Sequence, residues 1–184
     1  MAKEYLDIVD ENGNPTGQIV DRETAHRDGI PHRTSHLWLL RKREGRVQLL
    51  LQKRSVRKPS YPGCYDISSA AHIPAGVDYA ASAIRELWEE LGVTATEDEL
   101  VVIGHRWSVA DTEFFGKPFH DRQISRVFYL WRDLEEDQFT LQAEEVDEVR
   151  WMDLEECIRG MEEGTFQHCL SMVEMDMIRK ALNP

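Results

Sequence analysis

Positive charge, cysteine and long apolar runs are all scarce in this sequence, and each shortage closes off a class of protein. Lys and Arg number 22 against 34 Asp and Glu, a formal net charge of −12. Nonspecific attachment to a nucleic-acid backbone needs clustered cations, so no nucleic-acid partner is expected. An anionic small molecule can still bind if metal ions and local arginines reverse the field in a cleft. Only three cysteines occur, Cys64, Cys157 and Cys169. Odd in number, scattered and without a C-x-x-C pair, they read as reduced thiols and not as a disulfide framework. No apolar run approaches membrane-spanning length, and Met1 to Asp10 carries acids and no apolar leader core. The expectation is a cytoplasmic protein with no membrane partner, for which a homodimer is one compatible state.

What is present is ordinary for a globular enzyme. Hydrophobic residues make up 41% and charged residues 30% of 184, enough for one domain with a sizeable core, or one domain with a small terminal extension. Turn residues at 12–17 between β-rich residues 5–9 and 18–20 predict an N-terminal hairpin. A second strand pair is expected at 34–40 and 47–53, then a basic, Pro-containing loop over 54–63 and a short strand at 66–69. The strongest helical pattern covers Tyr79–Leu91, with Asp78 as N-cap and Gly92 as the stop. Residues 99–107 and 124–131 read as strands separated by a long polar segment with Gly116 and Pro118. A last strand at 148–152 precedes a helix at 154–159, and apolar residues at helical spacing predict another over 166–182. The class is α/β, a mixed sheet with helices on both sides.

The helix Tyr79–Leu91 carries the chemistry. Glu86, Glu89 and Glu90 fall at i, i+3 and i+4, so three carboxylates share one face. Ile84, Leu87, Trp88 and Leu91 give the same helix an apolar face for the core. A glutamate cluster is ordinarily a solvated face, but three carboxylates so close also suit a hard divalent cation, Mg²⁺ or Mn²⁺, which takes oxygen ligands.

The order of residues in Arg85-Glu86-Leu87-Trp88-Glu89-Glu90-Leu91-Gly92-Val93 resembles the second half of the Nudix box, G-x5-E-x7-R-E-U-x-E-E-x-G-U. The box runs here over residues 71–93. Ala71 stands at its first glycine and Val77 at its first glutamate, whereas Gly76 is in place. The resemblance implies a Nudix α/β/α sandwich: an N-terminal hairpin extension over residues 1–31 and a Nudix hydrolase domain over 32–184. It also implies Glu86, Glu89 and Glu90 as metal ligands, with Glu89, Glu90 and Arg85 catalytic and Arg85 orienting a carboxylate by a bidentate contact. The substrate would be a small-molecule diphosphate. Arg54, Arg57 and Lys58 are candidates for its phosphate oxygens, and Glu113, Asp121, Glu144 and Glu145 for the general base.

A narrower resemblance lies before the box. Tyr61-Pro62-Gly63-Cys64-Tyr65-Asp66, then Ser69-Ala70-Ala71-His72 and Gly76, is similar to isopentenyl-diphosphate isomerases, Nudix-fold enzymes that move a double bond. His32 with Trp38, and His26 upstream, resemble isomerase positions that help hold a metal. His32 and His72 are therefore candidate second-site ligands, and imidazoles favour Zn²⁺ or Mn²⁺. By spacing alone, no H-x3-H pair links His26, His32 and His72, and each reads as a hydrogen-bonded structural histidine. The isomerase acid and base fall at Ala70 and Gln123 here, neither of which carries a usable proton. Three readings follow: a metal-dependent diphosphate hydrolase, an isomerase of isoprenoid diphosphates, and a non-catalytic ligand-binding domain. Trp107, Phe114, Phe115 and Tyr129 could stack on a base, although aromatics in strands more often fill cores.

Overall fold

Residues 32–40 are buried without a break, the mark of a central strand covered on both faces. In the computed structural model, which describes residues 3–183, they belong to β3 (His32–Arg43). β3 pairs antiparallel with β4 (Arg46–Arg54) and parallel with β8 (Lys117–Trp131). The seven-stranded mixed sheet has the order β5-β4-β3-β8-β7. β6 (Ser69–His72) pairs with β3, and β9 (Val146–Asp153) pairs with β4. β5 is Tyr65–Asp66 and β7 is Val101–Phe114. The expected strand at 66–69 is thus two short ones, because the chain crosses from β4 to β3 between them.

Alternation along β3 sends neighbours to opposite layers. Leu37 and Leu39 meet Ala83, Leu87 and Leu91 of α2 (Tyr79–Leu91). Trp38 and Leu40 meet Cys157 and Ile158 of α3 (Leu154–Glu163), and Met175 and Ile178 of α4 (Met172–Leu182). The result is the α/β/α sandwich. Among the described residues no helix is long and apolar enough to cross a membrane.

The predicted hairpin forms as a separate two-stranded sheet, β1 (Tyr5–Val9) with β2 (Pro15–Asp21). A short helix follows that the sequence reading did not foresee, α1 (Arg22–Asp28). Asp21 caps it through Thr24 N–H and Gly29, at φ 66°, ends it. At seven residues it is too short to display an apolar period.

Two other expectations are corrected. The polar segment before residue 124 is not a loop: β7 and β8 pair from Val101↔Tyr129 to Phe114↔Lys117 around a turn at Phe115-Gly116. Its polar residues face a cleft or solvent, which removes the apolar alternation that identifies a strand. The final helix begins at Met172 and not near 166. Residues 167–169 instead bond the backbone of Tyr65, whose N–H donates to Gln167 O while its carbonyl accepts from Cys169 N–H.

Candidate active site

Local signals placed the bounds of α2 well. The Asp78 side chain accepts from Ala80 N–H, and Gly92 at φ 69° donates its N–H to Trp88 O. A Cβ on Gly92 would lie 2.7 Å from Thr140 Cβ, so the box glycine answers to packing as well as to its left-handed backbone. The division of the helix into an apolar and a metal face is different from that expected. Trp88 is 59% exposed, because the buried stripe runs through Tyr79, Ala83, Leu87 and Leu91. Glu90 is buried, and Gln52 of β4 donates to its carboxylate at 3.2 Å.

Glu86 and Glu90, one turn apart, line a cleft of about 430 Å³. Burial first, then the charge of Glu89, pushes Glu86 up to about 7. Burial and the charge of Glu86 push Glu90 up to about 8. Glu89 is exposed and does not line the cleft. Arg85 also lies outside, 3.8 Å from a carboxylate oxygen of Glu86 and 3.8 Å from one of Glu89. These distances exceed a hydrogen bond, so the bidentate contact expected of Arg85 is not formed.

Basic residues enter from the end of β4, from the loop after it and from the start of α1. Arg54 donates to Asp66 at 3.0 Å and to the Ser60 carbonyl. Lys58 bonds Glu145, and Arg22 bonds Glu4 at 3.0 Å. Of these seven residues all but Ser60 line the cleft, whereas Arg57 does not. Of the four candidate bases, Asp121 and Glu145 line it and Glu113 and Glu144 do not. Among the aromatics, Phe114 packs on Tyr61 and Phe119, and Trp107 donates to the Glu11 carbonyl.

The histidines are hydrogen-bonded, as read from spacing, and they also converge, which spacing did not show. His26, His32 and His72 each offer a ring nitrogen within 4.8 Å of the others. Nδ1 of His26 bonds the Arg22 carbonyl and Nδ1 of His32 the Ile30 carbonyl, both at 2.9 Å. A carbonyl accepts, so each Nδ1 carries the proton and each Nε2 a lone pair, which at His26 accepts from His72 Nε2 at 3.2 Å. His32 Nε2 and Asp121 Oδ1 are buried without a hydrogen-bond partner, 3.8 Å apart. Burial lowers His26 to about 4 and His72 well below its usual range. Neutral imidazoles converging beside an unpaired carboxylate fit a transition-metal ion. Spacing could not reveal this, because His26 comes from α1, His32 from β3 and His72 from β6.

Further along, Glu174 of α4 lies beneath the cleft. It accepts from His36 Nδ1 at 2.7 Å, Trp38 Nε1 at 2.9 Å and Arg106 Nε at 2.9 Å. Burial works to raise its pKa, but His36 and Arg106 outweigh that and hold it down at about 2. No sequence motif marked Glu174, His36 or Arg106.

The raised carboxyls make the metal-free protein pH-sensitive. The folded state keeps protons that an unfolded chain releases above about 4.5, so this contribution to stability falls as pH rises through 7–8. His26 acts oppositely, its contribution being lost as pH falls from 6.5 toward 4. Between pH 6.5 and 8.5 the carboxyls dominate, with Glu145, Lys58 and Gln52 as the groups facing them. In EDTA the melting temperature should drop across that interval, and millimolar Mg²⁺ should restore more at 8.5 than at 6.5. A melting temperature that climbs with pH in EDTA would contradict the placement of Glu86 and Glu90.

The fold is thus a mixed-sheet sandwich with two helix carboxylates on a cleft that Arg22, Arg54 and Lys58 also line. The NUDIX domain model matches residues 31–168, and the chain belongs to that family. It is 40% identical to "Nudix hydrolase 3" of Arabidopsis thaliana over 159 residues, which cover 85% of this chain but only 20% of that protein. An uncharacterized Nudix hydrolase of Clostridium acetobutylicum is 32% identical, with 88% of this chain and 76% of the relative covered. Relatives also include the isopentenyl-diphosphate Delta-isomerase of Escherichia coli, 27% identical over 88% of this chain and 84% of the enzyme. The crystal structure of DR0079 from Deinococcus radiodurans shares the fold, with a TM-score of 0.67, 23% identity, and 96% and 98% of the two chains covered.

Proposed function

We propose that this protein hydrolyses the diphosphate bond of a small, nucleoside-diphosphate-like metabolite, using Mg²⁺ or Mn²⁺. The observation that carries the reading is the pair Glu86 and Glu90, held one turn apart on a cleft that also contains Lys58 and Arg54. Buried carboxyls that bind protons this readily need a partner cation to ionise near neutrality, which fits Glu86 and Glu90 as its ligands. A divalent ion there supplies charge neutralisation at phosphate oxygens and acidifies a water. Gln52 fixes one Glu90 oxygen, so the carboxylate is oriented before a ligand arrives. Lys58 and Arg54 meet the phosphate oxygens once substrate competes with Glu145 and Asp66. Glu145, thereby released from Lys58, accepts the proton of the attacking water. Glu89 and Arg85 stand at the outer face of the helix and act on the cleft through Glu86.

Isomerisation is the second reading, favoured by the convergence of His26, His32 and His72 with Asp121. Against it, Ala70 and Gln123 line the cleft at the acid and base positions. The test is phosphate or nucleotide release from a panel of diphosphates, with Mg²⁺, with Mn²⁺ and with EDTA. Metal-dependent release is expected. Conversion of a prenyl diphosphate without release, or no turnover while metal binds, would overturn the hydrolase reading.

A further inference from the structure

Resting on the hydrolase reading, the polar floor of the cleft tells more about the substrate. We propose that the end of the cleft where β7 places Arg106 and Ser108 beside His36 binds a second anionic oxygen group of the substrate, a phosphoryl or carboxylate remote from the cleaved diphosphate. Glu174 is the positioning residue that holds Arg106 for it.

Strand register lays out this floor. His32↔Gln123 and Thr34↔Ser125 pair across β3 and β8. Arg106↔Ser125, Ser108↔Gln123 and Ala110↔Asp121 pair across β7 and β8. Alternate residues share a face, so one row runs from the His32 and Asp121 end to Arg106. Four residues along a strand span ~13 Å, room for a diphosphate at one end and a separate group at the other. The walls between are Thr34, Ser108 and Gln123, which offer hydrogen bonds and little that a prenyl tail would prefer.

Arg106 is unlike Arg54 and Lys58, and it is held by burial where Arg22, which also bonds through a single nitrogen, is 43% exposed. Arg54 spends Nε and both terminal nitrogens on Asp66 and Ser60, and Lys58 is tied to Glu145. Arg106 uses only Nε, toward Glu174, and its two terminal nitrogens have no partner among the described residues. Its side chain is mostly buried, so the guanidinium is held in place with its fork open to the cleft. Glu174 cannot compete for that fork, because it already takes Arg106 Nε, His36 Nδ1 and Trp38 Nε1. A carboxylate buried under three donors fixes two cleft residues at once, and it comes from a helix otherwise remote from the box.

Binding of inorganic phosphate to the full chain in EDTA, measured by titration calorimetry, tests the subsite without calling on metal or turnover. One saturable site is expected, and Arg106→Ala should weaken it at least tenfold. Malonate in the same titration separates the sources: tighter phosphate means a phosphoryl group, tighter malonate a carboxylate, and either supports an anion subsite. Glu174→Gln, similar in shape, should weaken phosphate at least fivefold while melting stays cooperative, a change that a purely structural role would not produce. If Glu174→Gln fails to fold, Arg106→Lys carries the test, with intermediate affinity expected. Phosphate binding that is absent, or unaltered in Arg106→Ala, overturns the proposal. Failure of hydrolysis alone would leave the phosphate site intact, so the two readings fall separately.

Discussion

Glu90→Gln should lower turnover about 10³-fold, or ~4 kcal/mol of transition-state stabilisation, and abolish the Mg²⁺-dependent rise in melting temperature. Saturating metal at about 100 times its dissociation constant contributes ~2.7 kcal/mol to a folded protein. For a domain of this size that is roughly 5–10 °C, large enough for its loss to be plain. The metal-free variant should fold at least as well as wild type. Glutamine removes a buried acid that burial keeps from ionising, and its own oxygen can accept from Gln52. Glu89→Gln should cost less than tenfold, because Glu89 is exposed and off the cleft. That contrast is sharper than the sequence pattern, in which Glu86, Glu89 and Glu90 are equivalent. Equal losses in Glu89→Gln and Glu90→Gln would show that the helix face, and not the cleft, sets the metal site.

Asp7→Ala should lower the melting temperature by roughly 10 °C, although residue 7 lies far from the box in sequence. The Asp7 carboxylate accepts from Arg33 at 2.7 Å and from Gly76 N–H at 2.9 Å. Arg33 also donates to the Val77 carbonyl at 3.0 Å and lies over the Tyr79 ring. β1 therefore clamps the loop that leads into α2, at the point where the box has valine in place of its first glutamate. Both partners are nearly buried, and breaking such a pair from one side costs ~3–5 kcal/mol because it strands a charge. Arg33 Nε already lacks a partner, so little is left to compensate. Arg33→Met combined with Asp7→Ala should recover much of the loss, since no charge is then stranded. Thermal unfolding of the two variants settles the matter, and a shift below 2 °C in Asp7→Ala would remove the clamp.

Where the sequence was legible, the signals were local. The bounds of α2, its Asp78 cap and its Gly92 stop depend on residues within one or two turns of each other. β3 and β4 were visible for the same reason, as apolar runs divided by Glu44-Gly45. β7 and β8 were half hidden, because Arg106, Ser108, Asp121 and Gln123 face a polar cleft where a strand normally shows apolar alternation. Trp88 was misplaced because periodicity gives the spacing of a stripe but not which edge of it the sheet covers.

By itself the sequence determined the helix, the register of three carboxylates on it, and the resemblance to a family that the comparisons then bore out. Tertiary structure decided the rest of the candidate site. It turned Glu86 and Glu90 into the cleft and left Glu89 outside, brought three histidines from three elements together, and supplied Asp7 at the loop beside Val77. It also set Glu174 of the last helix beneath Arg106. The reason is physical: helix phase is written in neighbouring residues, whereas contacts across a sheet depend on strand register and chain closure, to which residues more than a hundred positions apart contribute equally.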